Sequence, residues 1–339
     1  MNVLTFGEMM LRLKPSESKR ILQSDAFEAS YGGAEANVAV SLALQGDESA
    51  YLSKLPDNLL GDAAKGTLRK YGVNTDKILR GGPRLGIYFF EKGASVRGTN
   101  VVYDRAGSSF ATAMAAEFDW DSLLKGVNYF YFSGITAAIS TELQTAILSA
   151  CEYCAQHHIT VIFDTNFRGK MWTPSEAQAF SKRVMPYVNV VLANDEDFES
   201  SLGIKAFDGD MRHGIDQKES FKAGMREVVA KYPNCHTVAS ILRNIHSVED
   251  SQWSALLLRD GQFYESVVYQ LHVYEGVASG DAFGAGLVHG FLHGFKGQEQ
   301  VDYAIAASVL KLTVSGDLNL VSEPEIRNIM QDGGSAMSR

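Results

Sequence analysis

From Val127 onward the apolar positions come in short continuous runs that take turns with longer runs at helical spacing. They predict strands over 127–132, 159–164 and 188–192, and helices over 140–157, 175–185 and 195–201. Such a rhythm implies parallel strands joined by crossover helices, and ligands of such sheets gather at the carboxyl ends of the strands. Three polar stretches fall at those ends: Ser133-Gly134-Ile135-Thr136, Asp164-Thr165-Asn166-Phe167-Arg168 and Asn194-Asp195-Glu196-Asp197.

Upstream, Val3 to Gly7 reads as a strand and 8–13 as a second extended piece. A polar loop over 14–20 and another extended stretch over 21–31 follow, before Gly32-Gly33 opens an alanine-rich helix. A strand at 50–55, a helix at 60–71 stopped by Gly72 and a short strand at 77–80 come next. Then the pattern changes, for 85–91 and 99–104 are β-rich segments around a glycine-containing turn, and they predict a hairpin. Joined with the extended pieces near the start, that hairpin makes a small sheet apart from the main layer, suited to a lid. The expectation is one α/β domain over 1–339 with a discontinuous β lid within about 10–31 and 84–108. Downstream the pattern gives an exposed insertion at 205–219, a helix at 221–231, strands at 237–242 and 253–259, and a turn at Asp260-Gly261. A last amphipathic helix spans 301–314, and the final nine residues are expected to fray.

With 339 residues, 45% of them apolar, the chain can bury a full enzyme-sized core. Its net charge of -9 argues against a general nucleic-acid or anionic-membrane binder, so an anionic ligand must be held by local arginines and amides. No apolar run reaches the roughly 18 residues of a membrane span, and the first residues lack an export signal, so a cytoplasmic setting is expected. Three cysteines make no disulfide framework. Cys151 and Cys154 form a C-x-x-C, yet they share a helical stripe with Leu143, Ile147 and Ala150, which reads as core rather than zinc.

The chemistry centres on Gly276-Val277-Ala278-Ser279-Gly280-Asp281, which leads into an apolar helix. Small residues and an acid at a helix mouth bring free N–H groups and a carboxylate together, as phosphoryl transfer to an alcohol requires. Asp281 would take the hydroxyl proton, and the N–H groups of Ala278, Ser279 and Gly280 would face the phosphate. The same residues also suit a plain helix start with a capping acid. Asn37, one turn into the helix after Gly33, can bond sugar hydroxyls or cap that helix. Arg168, just past a strand, can grip a carboxylate or pair with a neighbouring acid. Tyr88, Tyr103 and Arg105 lie on the expected lid, where ordinary β packing and a surface charge also explain them.

These motifs together resemble the ribokinase-like (PfkB) carbohydrate kinases, most closely the 2-keto-3-deoxygluconate kinases. The resemblance rests on Tyr31-Gly32-Gly33-Ala34-Glu35-Ala36-Asn37, Gly86-Ile87-Tyr88, Tyr103-Asp104-Arg105, Asp164 to Arg168 and Gly280-Asp281-Ala282-Phe283. It implies a three-layer fold with a central, mostly parallel sheet flanked by helices. Asp281 would be the general base, with the Ala278, Ser279 and Gly280 amides as anion hole. A sugar acid would lie between Gly33, Asn37, Tyr88, Tyr103, Arg105 and Ile135, its carboxylate drawn in by Arg168. ATP would lie near Asn194, Arg243 and Ser308, with Mg²⁺ bridging its phosphates through waters and Asp197 in the outer shell. Pairing of two copies through the lid is a further expectation.

The chain departs from the family in places. The usual Asp-Thr before the loop is Glu275-Gly276, which leaves the monovalent-cation site without its usual residues, and Ala278 and Ser279 add β-carbons near the phosphate. Arg12 stands where neutral-sugar kinases often have an acid, and a cation there suits an anionic sugar. The expected activity is thus ATP-dependent phosphorylation of a primary hydroxyl of a keto-deoxy sugar acid, with Asp281 ionised at neutral pH. The alternatives are a kinase of a neutral sugar such as fructose, or a non-catalytic sugar-acid sensor. A dinucleotide dehydrogenase is disfavoured, because no G-x-G-x-x-G follows the first strand.

Overall fold

The computed structural model describes residues 3–332. Eight strands form the central sheet in a continuous path, and a ninth pairs at its edge. Six run parallel: β1 (Val3–Phe6), β4 (Ser49–Leu52), β9 (Tyr129–Ser133), β10 (Thr160–Asp164), β11 (Val190–Leu192) and β12 (Thr237–Ile245), in the spatial order β4-β1-β9-β10-β11-β12. The antiparallel strands β13 (Asp250–Arg259), β14 (Gln262–Glu265) and β15 (Tyr269–His272) extend the far edge. Because the chain moves one way from β1 to β4 and the other way from β9 onward, a crevice opens beyond the ends of β1 and β9.

Helices cover both faces. On one side pack α1 (Ala34–Leu44), α9 (Ser279–Leu292) and α10 (Gly297–Lys311), which bury Val38, Leu42, Phe283, Leu287, Val301 and Ala304 against the sheet. On the other lie α5 (Thr141–Gln156), α6 (Pro174–Val184) and α8 (Lys218–Lys231) over Phe130, Phe132 and Phe163. Short helices α2 (Leu59–Lys70), α3 (Trp120–Leu123), α4 (Gly134–Ile139), α7 (Asp197–Leu202) and α11 (Glu323–Asp332) complete the set. This is the α/β architecture that the alternating pattern predicts. Among the described residues no helix is long and apolar enough to cross a membrane.

A second sheet takes the order β3-β2-β7-β8, from β2 (Met10–Pro15), β3 (Phe27–Gly32), β7 (Gly86–Glu91) and β8 (Asn100–Asp104). The expected hairpin is β7–β8. Period-2 alternation turns Met10, Tyr88 and Phe90 to one face, where Val277 of the loop before α9 packs against them. A two-stranded parallel piece, β5 (Lys54–Leu55) with β6 (Leu79–Arg80), lies apart.

The differences from the sequence reading are local. Residues 21–31 are not one extended stretch, since Ile21–Gln23 is a 3-10 turn and the strand begins at Phe27. Segment 205–219 is only partly exposed, with Ala206, Phe207 and Ile215 joining the core. Strand 237–242 runs on to Ile245 and strand 253–259 starts at Asp250, which makes a long hairpin; the last long helix begins at Gly297 rather than 301. Cys151 and Cys154 are fully buried on α5, and burial pushes the Cys154 thiol up to about 12, as a core stripe requires. The expected fraying of the final nine residues falls mostly outside the described residues.

Candidate active site

One cavity of about 420 Å³ sits beyond the carboxyl ends of the parallel strands, between them and the small sheet. Every residue expected at the site reaches its wall except Ser308 and Arg12. The Ser308 side chain lies fully buried on α10, its hydroxyl without a hydrogen-bond partner, so the expectation of a nucleotide contact there is corrected.

Two helix starts meet in the cavity. Asp281 stands in the first turn of α9, 7% exposed, and Asn37 in the first turn of α1 donates its Nδ2–H to Asp281 Oδ2 at 2.7 Å. Asn37 Oδ1 in turn accepts the Gly33 N–H at 3.3 Å. A β-carbon on Gly33 would collide with the Glu8 carbonyl oxygen, so only glycine allows the α1 start to press against the end of β1. Burial raises the Asp281 carboxyl to about 7, opposed by the Asn37 hydrogen bond and reinforced by the nearby Glu35 charge. The expectation of a fully ionised base is therefore corrected: near neutral pH the group is divided between its two forms.

The loop expected to form the anion hole precedes α9. Ala278 is the residue before the helix and adopts φ 59° and ψ 18°, the left-handed region that a β-carbon disfavours. Ser279 and Gly280 follow as the first two helical residues, whose N–H groups have no acceptor within the helix.

Strand ends supply the opposite wall. Asp164 closes β10 and accepts from the Tyr131 hydroxyl and the Asn166 amide, each at 3.3 Å. Burial, with Asp197 and Asp281 close by, pushes its carboxyl well up, while the Arg168 charge pulls it down. Arg168 is exposed on the cavity wall. Asp197 accepts the Phe167 N–H at 2.8 Å and the Asn194 N–H at 3.0 Å, and thereby ties the turns after β10 and β11 together. Asn194 Oδ1 takes the Ile241 N–H at 2.7 Å. Arg243, on β12, pairs with Asp195 and lies 5.3 Å from the Trp253 ring; burial lowers its guanidinium only to about 10, so it stays charged.

The small sheet provides Tyr88, Tyr103 and Arg105. Tyr88 is buried and donates to Asp317 at 2.6 Å, whereas Tyr103 is 46% exposed, its ring 5.9 Å from that of Tyr88. Arg105 is bound to Glu8, whose other oxygen receives the Ser108 hydroxyl. Ile135 lines the cavity from α4, which is fixed by Glu35: that carboxylate accepts from the Ser133 N–H, the Ser133 hydroxyl and the Thr136 hydroxyl at 2.9, 2.7 and 2.7 Å.

Arg12 differs from its sequence reading. It is 1% exposed, paired with Glu275 at 2.6 Å and Asp317 at 3.2 Å, and its guanidinium covers the Phe90 ring at 4.0 Å. Its charge is consumed internally rather than presented to a ligand. Lys14 joins the same cluster at 2.7 Å from Glu275. Although burial opposes ionisation of Glu275, Arg12 and the bonds from Lys14, Arg12 and the Gly316 N–H hold its carboxyl down near 2.

Sequence reasoning missed Glu8 and Asp317 as wall residues, and gave Asp164 no role of its own within the strand-end stretch it marked. Asp164 carries a signal, since it ends a strand with a polar tail. Glu8 and Asp317 carried none, for each is placed by contacts some hundred or more positions away.

The donor set fits Mg²⁺, which prefers hard oxygen ligands. Asp195 Oδ1 is buried with no hydrogen-bond partner, Glu196 is exposed on the wall, and Asp197 has both oxygens engaged by backbone N–H groups, as suits a place behind coordinated waters.

A cavity at the strand ends, walled by a carboxylate and a small-residue helix mouth, suits phosphoryl transfer to a hydroxyl. The chain matches the pfkB family carbohydrate kinase model over residues 1–324 and belongs to that family. It is 31% identical over 342 residues to a 2-dehydro-3-deoxygalactonokinase of Haloferax volcanii, with 99% of each chain covered. The crystal structure of a 2-dehydro-3-deoxygluconokinase from Thermotoga maritima is 44% identical with a TM-score of 0.93, covering 98% of this chain and 99% of that one. A PfkB family carbohydrate kinase from Listeria grayi is 30% identical with a TM-score of 0.90, covering 98% of this chain and all of the other.

Proposed function

We propose that this carbohydrate kinase transfers the γ-phosphoryl group of ATP to a primary hydroxyl of a keto-deoxy sugar acid of the 2-keto-3-deoxygluconate type. The observation that carries the reading is one cavity whose separate walls bear Asp281, Arg168 and Arg105. A base and two guanidinium groups in one cavity match an acceptor with a hydroxyl at one end and a carboxylate at the other. The names of the two relatives above, both keto-deoxy sugar-acid kinases, support the same substrate class.

In this reading the acceptor hydroxyl lies against Asp281. Asn37 holds Oδ2, so the proton passes to Asp281 as the sugar oxygen bonds to phosphorus and the bond to the bridging oxygen of ADP breaks. The N–H groups of Ala278, Ser279 and Gly280 stabilise the negative charge on the transferring group. Gly33, Asn37, Ile135, Tyr88 and Tyr103 frame the sugar, while Asn194, Asp195 and Arg243 flank the nucleotide. Mg²⁺, held by the Asp195 to Asp197 acids partly through waters, supplies neutralisation of phosphate charge when bound. No monovalent cation is assigned, because Glu275 is already neutralised by Arg12 and Lys14.

The small sheet acts as the lid, and its closure excludes water as a competing acceptor. Exposed Val102 and Tyr103 on edge strand β8 offer a surface for pairing with a second copy, to be read from the mass in solution. A cytoplasmic setting supplies the ATP. Product analysis tests the reading: incubation with ATP, Mg²⁺ and 2-keto-3-deoxygluconate should place the phosphate ester on the terminal carbon. Phosphate on another carbon, or none, contradicts it.

A further inference from the structure

At the end of α9 remote from Asp281, two histidines and an acid converge. His289 and His293 are one turn apart and share a face of the helix. Asp47, in the turn between α1 and β4, directs Oδ2 to His289 Nδ1 at 2.8 Å and Oδ1 to His293 Nε2 at 2.9 Å. These ligand-type atoms lie within 4.8 Å of one another. The Asp47 side chain is 4% exposed and that of His289 0%, whereas His293 is 48% exposed and opens the group to solvent.

We propose that Asp47, His289 and His293 bind a late first-row divalent cation, of which Zn²⁺ is the representative. Two imidazoles and a carboxylate suit Zn²⁺, Co²⁺ or Ni²⁺, not the all-oxygen preference of Mg²⁺. The second observation is the other nitrogen of His289. Its Nε2 is buried without a hydrogen-bond partner, 3.8 Å from Glu323 Oε1. With Asp47 alone, each imidazole must donate an N–H to the carboxylate. His289 then carries its proton on Nδ1 and turns a bare lone pair toward Glu323. A cation on Nδ1 reverses this: the proton moves to Nε2, and the Glu323 side chain, 3.8 Å away, has only to shift by under an ångström to accept it. Such an outer carboxylate behind a ligating histidine is what orients imidazoles at metal centres.

The adjustment needed is of the size of side-chain movements, because the ligand-type atoms already lie within 4.8 Å of one another. Tetrahedral bonds of about 2.0–2.1 Å separate ligand atoms by about 3.3 Å, so each histidine-to-Asp47 gap widens by about half an ångström. His289 is fixed by stacking on Tyr303 at a centroid distance of 4.7 Å, so the exposed His293 and the Asp47 carboxylate make the movement. Water completes the coordination on the side that His293 opens. The rise along α9 puts the group roughly 12–18 Å from Asp281, outside the phosphoryl-transfer cavity. The cation would join the α1–β4 turn to α9, with α11 behind it, a clasp on the helix that carries the catalytic acid.

Titration of the metal-stripped full chain with Co²⁺ in excess Mg²⁺ tests this, read by visible absorption and by the thermal midpoint. The proposal expects one equivalent with the absorption of a tetrahedral site, a raised midpoint and displacement by Zn²⁺. His293→Ala and Asp47→Asn should each weaken binding more than about tenfold. His213→Ala, at the exposed cluster with Asp208 and Asp210, should leave it unchanged. The three cysteines are buried and do not compete. No spectral change at one equivalent, or undiminished binding in His293→Ala, overturns the proposal and leaves Asp47 as a hydrogen-bonding clamp only.

Discussion

Asn37 on α1 and Asp281 on α9 are joined by a 2.7 Å hydrogen bond, so the helix proposed to frame the sugar also orients the proposed base. This bond is the main influence holding the Asp281 carboxyl down against burial. The position of Asp281 between its charged and neutral forms thus depends on a neighbour that faces the same ligand.

The pH dependence follows from that balance. With the free-enzyme carboxyl near 7, kcat/KM should fall about tenfold per pH unit on the acid side of that value. Asn37→Ala removes a bond to the charged form, so the limb should move to higher pH. A wild-type limb near the usual carboxylate value, or one that Asn37→Ala does not move, contradicts the assignment.

Replacing the base separates catalysis from stability. Asp281→Asn should lower kcat by about 10²-fold to 10⁴-fold. A carboxyl whose folded value is raised contributes stability that is complete below its unfolded value near 4 and lost as pH rises through about 7. Across that window the thermal midpoint of the wild type should therefore decline relative to Asp281→Asn. Parallel midpoint curves for the two proteins would argue against a buried, raised carboxyl.

Arg168 and Arg105 should differ in kind. Arg168 is exposed on the wall, whereas Arg105 is already bound to Glu8. Arg168→Ala should raise KM for the sugar acid with little change for ATP, and have a far smaller effect on a neutral sugar. In Arg105→Ala the loss at the acid should come with a lower thermal midpoint, because Glu8 is left buried and unpaired. An effect of either variant confined to ATP places that residue on the wrong ligand.

Much of this was readable from the chain, and the reasons for the gaps are specific. The alternation after Val127 encodes the parallel layer because buried strands and amphipathic helices carry different periods. Asp281, Asn37 and Arg168 were legible because each sits at the start of a helix or just past a strand, positions that local sequence marks. Arg12 was misread because only the fold shows Glu275 and Asp317 arriving beside it. Ser308 was misplaced because a small polar residue on a helix carries no mark of facing a cavity or a neighbouring side chain. The raised Asp281 carboxyl depends on burial among Glu35 and Asp317, which local spacing does not encode.

The Arg12 cluster yields a prediction of its own. Arg12→Met leaves Asp317 with only the Tyr88 hydroxyl, and Glu275 with only Lys14 and the Gly316 N–H, and should cost about 3–5 kcal/mol of stability, measured by denaturant unfolding. A loss below about 1 kcal/mol indicates that Lys14 and the Gly316 N–H hold Glu275 unaided.

Ala278 stands where its β-carbon disfavours the observed backbone. Ala278→Gly should raise stability by roughly 1 kcal/mol if relief of that conformation outweighs the added freedom of the unfolded chain. Turnover should stay within a few-fold, since the N–H remains. A fall in the thermal midpoint refutes the reading of the left-handed site as strained.

The central claim is that one cavity pairs a base for a hydroxyl with cations for a carboxylate. Its most direct test is kcat/KM from coupled ADP release with 2-keto-3-deoxygluconate and fructose side by side. The prediction is a preference for the acid of about 10²-fold or more, consistent with a charge-assisted contact of about 3 kcal/mol. Equal values for the two acceptors, or no ADP release with the acid, would contradict it.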